Sequence, residues 1–403
     1  MTKIKRLFCA WELGGEQGHL ATMSTLGQAL QQLGHQVVYT LKDLSQAHTF
    51  FIRAESLFQA PLWQVRYQQA YAVHSLPDAL LLKGYHQSET LLTLVVAWRR
   101  LMELSGAETV FCNYAPTANI AAQTLGLPVI AVGSGFALEP PGQPSLHWQR
   151  QNTDADTALP EHATPAKNEQ RCVTSINHVL QRFGQPAISY LSDINRTSGC
   201  LFTHQRELDV YAGYRRDEAV YLPFSIPVIQ GAEQVETGAG GLEIFAYLKP
   251  HYPRLEELLN LLCGKSAVVC CPGLPQAKVN EWQAKGLMIY SHLLKLDEIL
   301  PRCRLFVGHG GIGTVSDALS AGVPVLGIPL HMENLGTCMA LKRSGFGDYL
   351  TPSQDQTAVS EVIEALLLDG PIRQRCLALR KQSQQQDNSL LEVLKQMISN
   401  VAG

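Results

Sequence analysis

The sequence contains no long apolar run. Its densest stretch, Leu91–Trp98, is closed by Arg99 and Arg100, far short of the roughly 20 residues that a membrane-spanning helix requires. Charge is also scarce. Asp, Glu, Lys and Arg make up 17% of residues and the formal net charge is −3, which provides no basic field for nucleic acid or for an acidic membrane surface. The 10 cysteines include no CxxC pair, and only Cys270 and Cys271 adjoin. Neither a zinc site nor a disulfide frame is spelled out, so buried reduced thiols are expected. The opening MTKIKRLFCAWELGG carries positive charge, but its apolar stretch is too short for a secretion signal. The expectation is a cytoplasmic protein with no nucleic-acid partner and no transmembrane segment, peripheral membrane contact being left open.

What is present is an ordinary globular composition, 46% hydrophobic over 403 residues, more than one core usually organises. Strand-like runs at Ile4–Ala10, Gly34–Thr40, Thr109–Asn113 and Pro128–Val132 alternate with helical spacing, as in Leu20–Leu33. That alternation predicts α/β architecture with parallel sheets. Residues 140–170 are rich in Pro, Gln, Asp and Thr and read as a long loop. SIPVIQGAEQVETGAGG, at 225–241, reads as an interdomain linker. After it the alternation restarts, and Leu390–Ile398 forms a closing amphipathic helix. The predicted plan is an N-terminal domain over 1–224, a linker over 225–241 and a C-terminal domain over 242–385. A helix over 386–403 is placed to pack back on the N-terminal domain.

The most informative stretch is FVGHGGIGTVSDALSAGVPVLGIPLHMEN, 306–334. It reads as strand, glycine turn, helix, strand, with the turn at the carboxyl end of a strand, where open α/β sheets bind ligands. A helix amino terminus offers unpaired N–H groups and about half a positive charge to an anion. Gly311 and Gly313 would let main chain approach it, Thr314 would add a hydroxyl, and His309 a ring N–H. The same glycines could equally serve a tight turn, with His309 a core residue. The stretch is not a P-loop, because Gly-Lys-Ser/Thr is missing. Gly308, Gly310 and Gly313 satisfy GxGxxG, but the acid that should end the next strand does not follow, so the dinucleotide match is weak.

HGGIGTVSDALSAGVPVLGIPLHMEN resembles the donor-binding signature of inverting, nucleotide-sugar-dependent glycosyltransferases of the GT-B fold, enzymes that glycosylate natural products and lipids. His309, Gly311, Thr314, Asp317, Gly322, Pro324, Pro329, Glu333 and Asn334 stand at the family's offsets. EQGHLATMSTLGQALQQLGHQVVYT and FCNYAPTANIAAQTLGLPVIAV are similar to the family's opening and middle segments. The resemblance implies two Rossmann-like parallel-sheet domains facing across a cleft, the first binding the acceptor and the second a nucleotide-sugar.

It further implies that His309, Gly310, Gly311, Gly313 and Thr314 grip the donor diphosphate without a metal, and that no cofactor is needed beyond the nucleoside-diphosphate sugar as co-substrate. The only DxD, Asp154 and Asp156, lies in the polar loop. Asp317 would hold the ribose, with the helix dipole as an alternative reason for an acid there, and Glu333 and Asn334 the sugar. His19, after Gly14, Gly15 and Gly18 in the loop following the first strand, would be the general base. The family places an Asp beside that base, whereas this chain has Asn113; Glu12 or Glu16 could supply the missing acid. The implied activity is hexosyltransferase-type transfer, UDP-sugar first among donors, to a small-molecule or lipid acceptor with apolar character. Leu80–Leu82, Leu91–Trp98 and Phe136 could wall such a site, though core packing accounts for them equally. Asn113 keeps two alternatives open: an impaired nucleotide-sugar-binding or partner protein, and a GT-B sugar epimerase or hydrolase.

Overall fold

Leu7, Phe8, Cys9 and Ala10 are all 0% exposed, a continuous buried run expected of a strand covered on both faces. The computed structural model of the chain describes residues 4–15, 17–45, 47–51, 56–64, 73–146, 148, 166–215, 219–223, 241–351, 354–385 and 389–401. Glu16, Asp154, Asp156 and all of the 225–241 segment except Gly241 lie outside the described residues.

The chain divides into two units, one comprising Met1–Thr203, Val210–Leu222 and Asn388–Gly403, the other His204–Asp209 and Pro223–Asp387. The first is built on β1 (Arg6–Trp11), β2 (Gln36–Leu41), β3 (Leu57–Gln59), β4 (Thr109–Asn113), β5 (Val129–Gly133), β6 (Gly199–Phe202) and β7 (Val220–Tyr221), in the order β3-β2-β1-β4-β5-β6-β7. The second has β8 (Ile244–Tyr247), β9 (Ala267–Cys270), β10 (Met288–Tyr290), β11 (Leu305–Gly308), β12 (Val325–Gly327) and β13 (Gly347–Tyr349), in the order β10-β9-β8-β11-β12-β13. Every pairing is parallel. Strand order reverses between β1 and β4 in one sheet and between β8 and β11 in the other. At such a switch point the flanking connections leave in opposite directions and open a crevice at the carboxyl ends of the strands.

Alternation along β1 sends Leu7, Cys9 and Trp11 into a core with Leu20, Met23, Leu26 and Leu30 of the helix Gln17–Gln32. Phe8 points the other way, onto the edge of Trp98, 6.3 Å between ring centroids. Leu80, Leu91, Val95 and Trp98 are fully buried, so core packing accounts for these candidate acceptor walls. In the second unit, Val315, Ala318 and Leu319 recur at helical spacing in the helix Ile312–Ser320 and pack with Phe245 and Phe306 on one face of the sheet. This burial seats the helix with its amino terminus just beyond β11.

The final helix, Leu390–Asn400, is capped by Ser389, whose hydroxyl accepts from the Glu392 N–H at 3.3 Å. Its Val393, Leu394, Met397 and Ile398 join the core that holds Leu20–Leu30. Replacing Leu394 by Ala removes a side chain that is 0% exposed and is expected to destabilise the first unit by about 2–4 kcal/mol, read as a lower urea midpoint for the transition reported by Trp11 and Trp98 fluorescence.

Candidate active site

In the second unit the chain leaves β11 at Gly308 and turns through His309, Gly310 and Gly311 into the helix Ile312–Ser320. Gly310 has φ +80°, and a Cβ there would lie 2.5 Å from the Cys338 sulfur and 2.8 Å from the Asn334 carbonyl oxygen. The glycine requirement therefore falls on Gly310, whereas a Cβ at Gly311 would meet nothing within 4 Å. Gly311 is the N-cap and has no side chain with which to cap. The first intrahelical bond runs from Val315 N–H to the Gly311 carbonyl, 3.0 Å, so the N–H groups of Ile312, Gly313 and Thr314 precede the helical ladder. Gly313 and Thr314 sit inside the first turn of the helix.

His309 is 6% exposed. Its Nε2 accepts from the Lys249 N–H at 2.8 Å, and its Nδ1 lies 3.0 Å from the Ile328 carbonyl oxygen. These contacts put the proton on Nδ1 and direct both ring nitrogens to main chain. The expected ring N–H toward a phosphate is thus not the contact observed. The ring instead staples the ends of β8 and β12 across β11, with Tyr252 edge-on at 5.6 Å.

Glu333 and Asn334 occupy the first turn of the helix Met332–Ser344, whose N-cap is His331. Asn334 therefore does not cap that helix. It is 4% exposed, and its Oδ1 is buried without a hydrogen-bond partner. Buried polar atoms are nearly always satisfied, so an orphaned acceptor beside the Gly310 turn calls for an explanation.

In the first unit, Trp11 and Asn113 are register partners at the carboxyl ends of β1 and β4. His19 lies in the first turn of the helix Gln17–Gln32 rather than in the preceding loop. Its Nδ1 is 2.6 Å from Asn113 Oδ1, and its ring stacks on Trp11 at 5.4 Å and 18°. Because the amide oxygen only accepts, Nδ1 carries the proton and Nε2 keeps the lone pair. Nε2 lies over Gly14, where φ is +82° and a Cβ would come within 2.3 Å of it. Tyr114, next to Asn113, has φ +45°, a left-handed conformation that is rare for a bulky residue.

No family model matches the chain. It is 23% identical over 388 residues to a zeaxanthin glucosyltransferase of Pseudescherichia vulneris, covering 90% of this chain and 91% of that protein. Among solved structures it is similar to a kitacinnamycin glycotransferase, with a TM-score of 0.69, 15% identity and 100% of both chains covered. It is also similar to a spinosyn rhamnosyltransferase complexed with thymidine diphosphate, with a TM-score of 0.62, 16% identity, 98% of this chain and 100% of that one. The fold is GT-B. The sequence resemblance to glycosyltransferases accordingly runs through both sheets of this GT-B chain.

Glu12, weighed as a substitute acid for His19, gives its carboxylate to another partner. It is 3% exposed and accepts from Thr117 N–H at 2.8 Å and from the Thr117 hydroxyl at 2.5 Å, at the start of the helix Pro116–Thr124. Burial pushes its carboxyl up to about 7. Sequence reasoning missed Trp11 and Lys42, which brace the loop under His19. A strand-end Trp and Lys carry no motif, and only the register of β1 against β2 brings them together.

Asp317 is also pushed up to about 7, first by burial and then by the charge of Asp297. The native carboxyl keeps a proton that the unfolded chain, titrating near 3.8, has released. The native state therefore loses stability as pH rises between those values. Asp317→Asn should remove that loss, leaving the variant roughly 1–3 kcal/mol more stable than wild type at pH 8, after allowance for partial solvent access. The gap should shrink toward pH 4, as read from denaturant titrations at the two pH values.

Proposed function

We propose that the protein is an inverting glycosyltransferase that moves a sugar from a nucleoside-diphosphate donor, a UDP-sugar first among those to test, to a hydroxyl of an apolar small-molecule or lipid acceptor. The observation that carries this reading is the uncapped first turn of the helix Ile312–Ser320 beside the unpartnered Oδ1 of Asn334. The glycosyltransferase names of the similar proteins support it.

In this reading the amides of Ile312, Gly313 and Thr314 meet the donor diphosphate, together with the Thr314 hydroxyl. Cleavage of the sugar–phosphate bond leaves negative charge on that diphosphate, and donors already aimed at it stabilise the charge as it develops. Main-chain amides, not a metal, then neutralise the leaving group. Asp317 accepts from the ribose hydroxyls, which favours its ionised form. Glu333 and Asn334 take sugar hydroxyls, Oδ1 of Asn334 gaining the donor it lacks. His309 holds the turn that carries the amides.

His19 is the general base. With Nδ1–H bonded to Asn113, Nε2 takes the acceptor's proton as the oxygen attacks the anomeric carbon opposite the diphosphate, which inverts that centre. Asn113 fixes the tautomer through a dipole where a carboxylate would add charge. The base is correspondingly less favoured as an imidazolium, which predicts a modest rate rather than none.

The test is release of nucleoside diphosphate from UDP-, TDP- and GDP-sugars with and without a panel of hydrophobic alcohols and phenols. Release should require an acceptor. His19→Ala should lower turnover by about 10²–10⁴-fold while nucleotide affinity by calorimetry changes less than about threefold. A wild-type protein that binds donor yet turns over none of the panel would instead be the nucleotide-sugar-binding protein that Asn113 leaves open. Acceptor-independent release would point to hydrolysis.

A further inference from the structure

The helix Pro116–Thr124 begins without a cap of its own. Its N-cap is Ala115 and its first residue is Pro116, so no side-chain oxygen is at hand, and the N–H groups of Thr117 and Ala118 are the first to need an acceptor. Glu12, the residue after β1, supplies one from the adjacent strand. Its Oε2 accepts from Thr117 N–H at 2.8 Å, its Oε1 accepts from the Thr117 hydroxyl at 2.5 Å, and Ala118 N–H donates to the same carboxyl. The Thr117 hydroxyl also lies 2.9 Å from the phenol oxygen of Tyr85, at the end of the short π-helical turn Leu81–Tyr85. All three side chains are buried.

We propose that Glu12 is a positioning residue for the His19–Asn113 pair, a cap supplied from β1 that holds the turn 113–115 in its left-handed form. This rests on the glycosyltransferase reading for its purpose, though not for its geometry.

A side chain that reaches from one strand end to the start of the next helix constrains whatever lies between. Here that is Asn113, Tyr114 and Ala115. Leu13 N–H donates to the Tyr114 carbonyl at 2.9 Å, so two consecutive residues beyond β1 grip the turn, one through its side chain and one through its main chain. Tyr114 is held there at φ +45°, a conformation that a bulky residue keeps only when its surroundings impose it. The β1 side is itself anchored, because Trp11 Nε1 donates to the Leu13 carbonyl at 2.6 Å and the Lys42 ammonium donates to the Gly14 carbonyl. Loss of the grip is therefore taken up by the turn. Asn113 ends β4, so the sheet fixes the chain entering it, while the strained residue after it sets how the chain leaves. Its Oδ1 stands 2.6 Å from His19 Nδ1. A displacement of about 1 Å takes such a contact out of hydrogen-bond range.

The test compares wild type with Glu12→Met, Glu12→Gln and Val179→Ala by nitrogen NMR of the His19 ring and the Asn113 side-chain amide in the full chain, which needs no substrate. Val179 is a buried residue of the helix Ala166–Arg182, and its truncation weakens the same unit without touching the turn. In E12M the ring and amide signals should leave their wild-type positions. E12Q keeps an acceptor for Thr117 N–H and a donor for its hydroxyl and should restore them, while V179A should leave them in place. Where turnover is measurable, kcat should fall about tenfold in E12M with donor KM unchanged. Wild-type signals in a folded E12M protein overturn the proposal, as does an equal shift in V179A or in E12Q. Should E12M fail to fold, Thr117→Val, which removes the hydroxyl between Glu12 and Tyr85, decides in the same way. Shifted signals in E12M, beside a wild type that transfers no sugar, overturn the functional reading and leave Glu12's role in place.

Discussion

A helix that begins at the edge of a parallel sheet must find partners for N–H groups that its own ladder cannot satisfy. In the second unit those partners are not supplied by capping. Gly311 has no side chain, and the tight packing of Gly310 on Cys338 and Asn334 leaves no room for one a residue earlier. The burial of Val315, Ala318 and Leu319 then keeps the helix where its open end stays at the switch point. Replace Gly310 with any other residue and the turn, the facing helix Met332–Ser344 and the seating of His309 all have to move together. The chemistry assigned to the site rests on this one arrangement of main chain.

The two sheets use one topological device for opposite purposes. Both reverse strand order at the centre, β1 against β4 and β8 against β11. The second unit fills its crevice with donors, in the form of main-chain dipoles. The first fills its crevice with an acceptor, the lone pair of an imidazole whose other nitrogen is bonded to an amide oxygen 2.6 Å away. Among the described residues, the hydrogen bonds of His19 to Asn113 and of His309 to Lys249 N–H and to the Ile328 carbonyl join neutral groups.

Much of the fold was legible in residue pattern because buried parallel strands are written as unbroken apolar runs and their helices as 3.6-residue periods. The site was legible in part. Offsets from His309 to Asn334 located the helix amino terminus and the facing acid–amide pair. What residue types could not convey was which glycine is indispensable, since Gly310, Gly311 and Gly313 look alike until φ and neighbours are known. Nor could they convey where His309 points. A histidine among glycines reads as a ligand contact, yet the register of β8 against β11 brings Lys249 N–H to its ring. Gly14, Gly15 and Gly18 make the segment around His19 read as a loop. The helix begins at Gln17, which makes the ring's orientation a property of a regular first turn.

The last helix has a consequence for how the molecule comes into being. Leu394 and Ile398 complete a core whose earliest members, Leu7 to Leu30, emerge from the ribosome at the very start of synthesis. The whole of Pro223–Asp387 is translated in between, which at typical elongation rates takes on the order of ten to thirty seconds. Throughout that interval the nascent first unit presents an uncovered apolar face alongside the helix that bears His19.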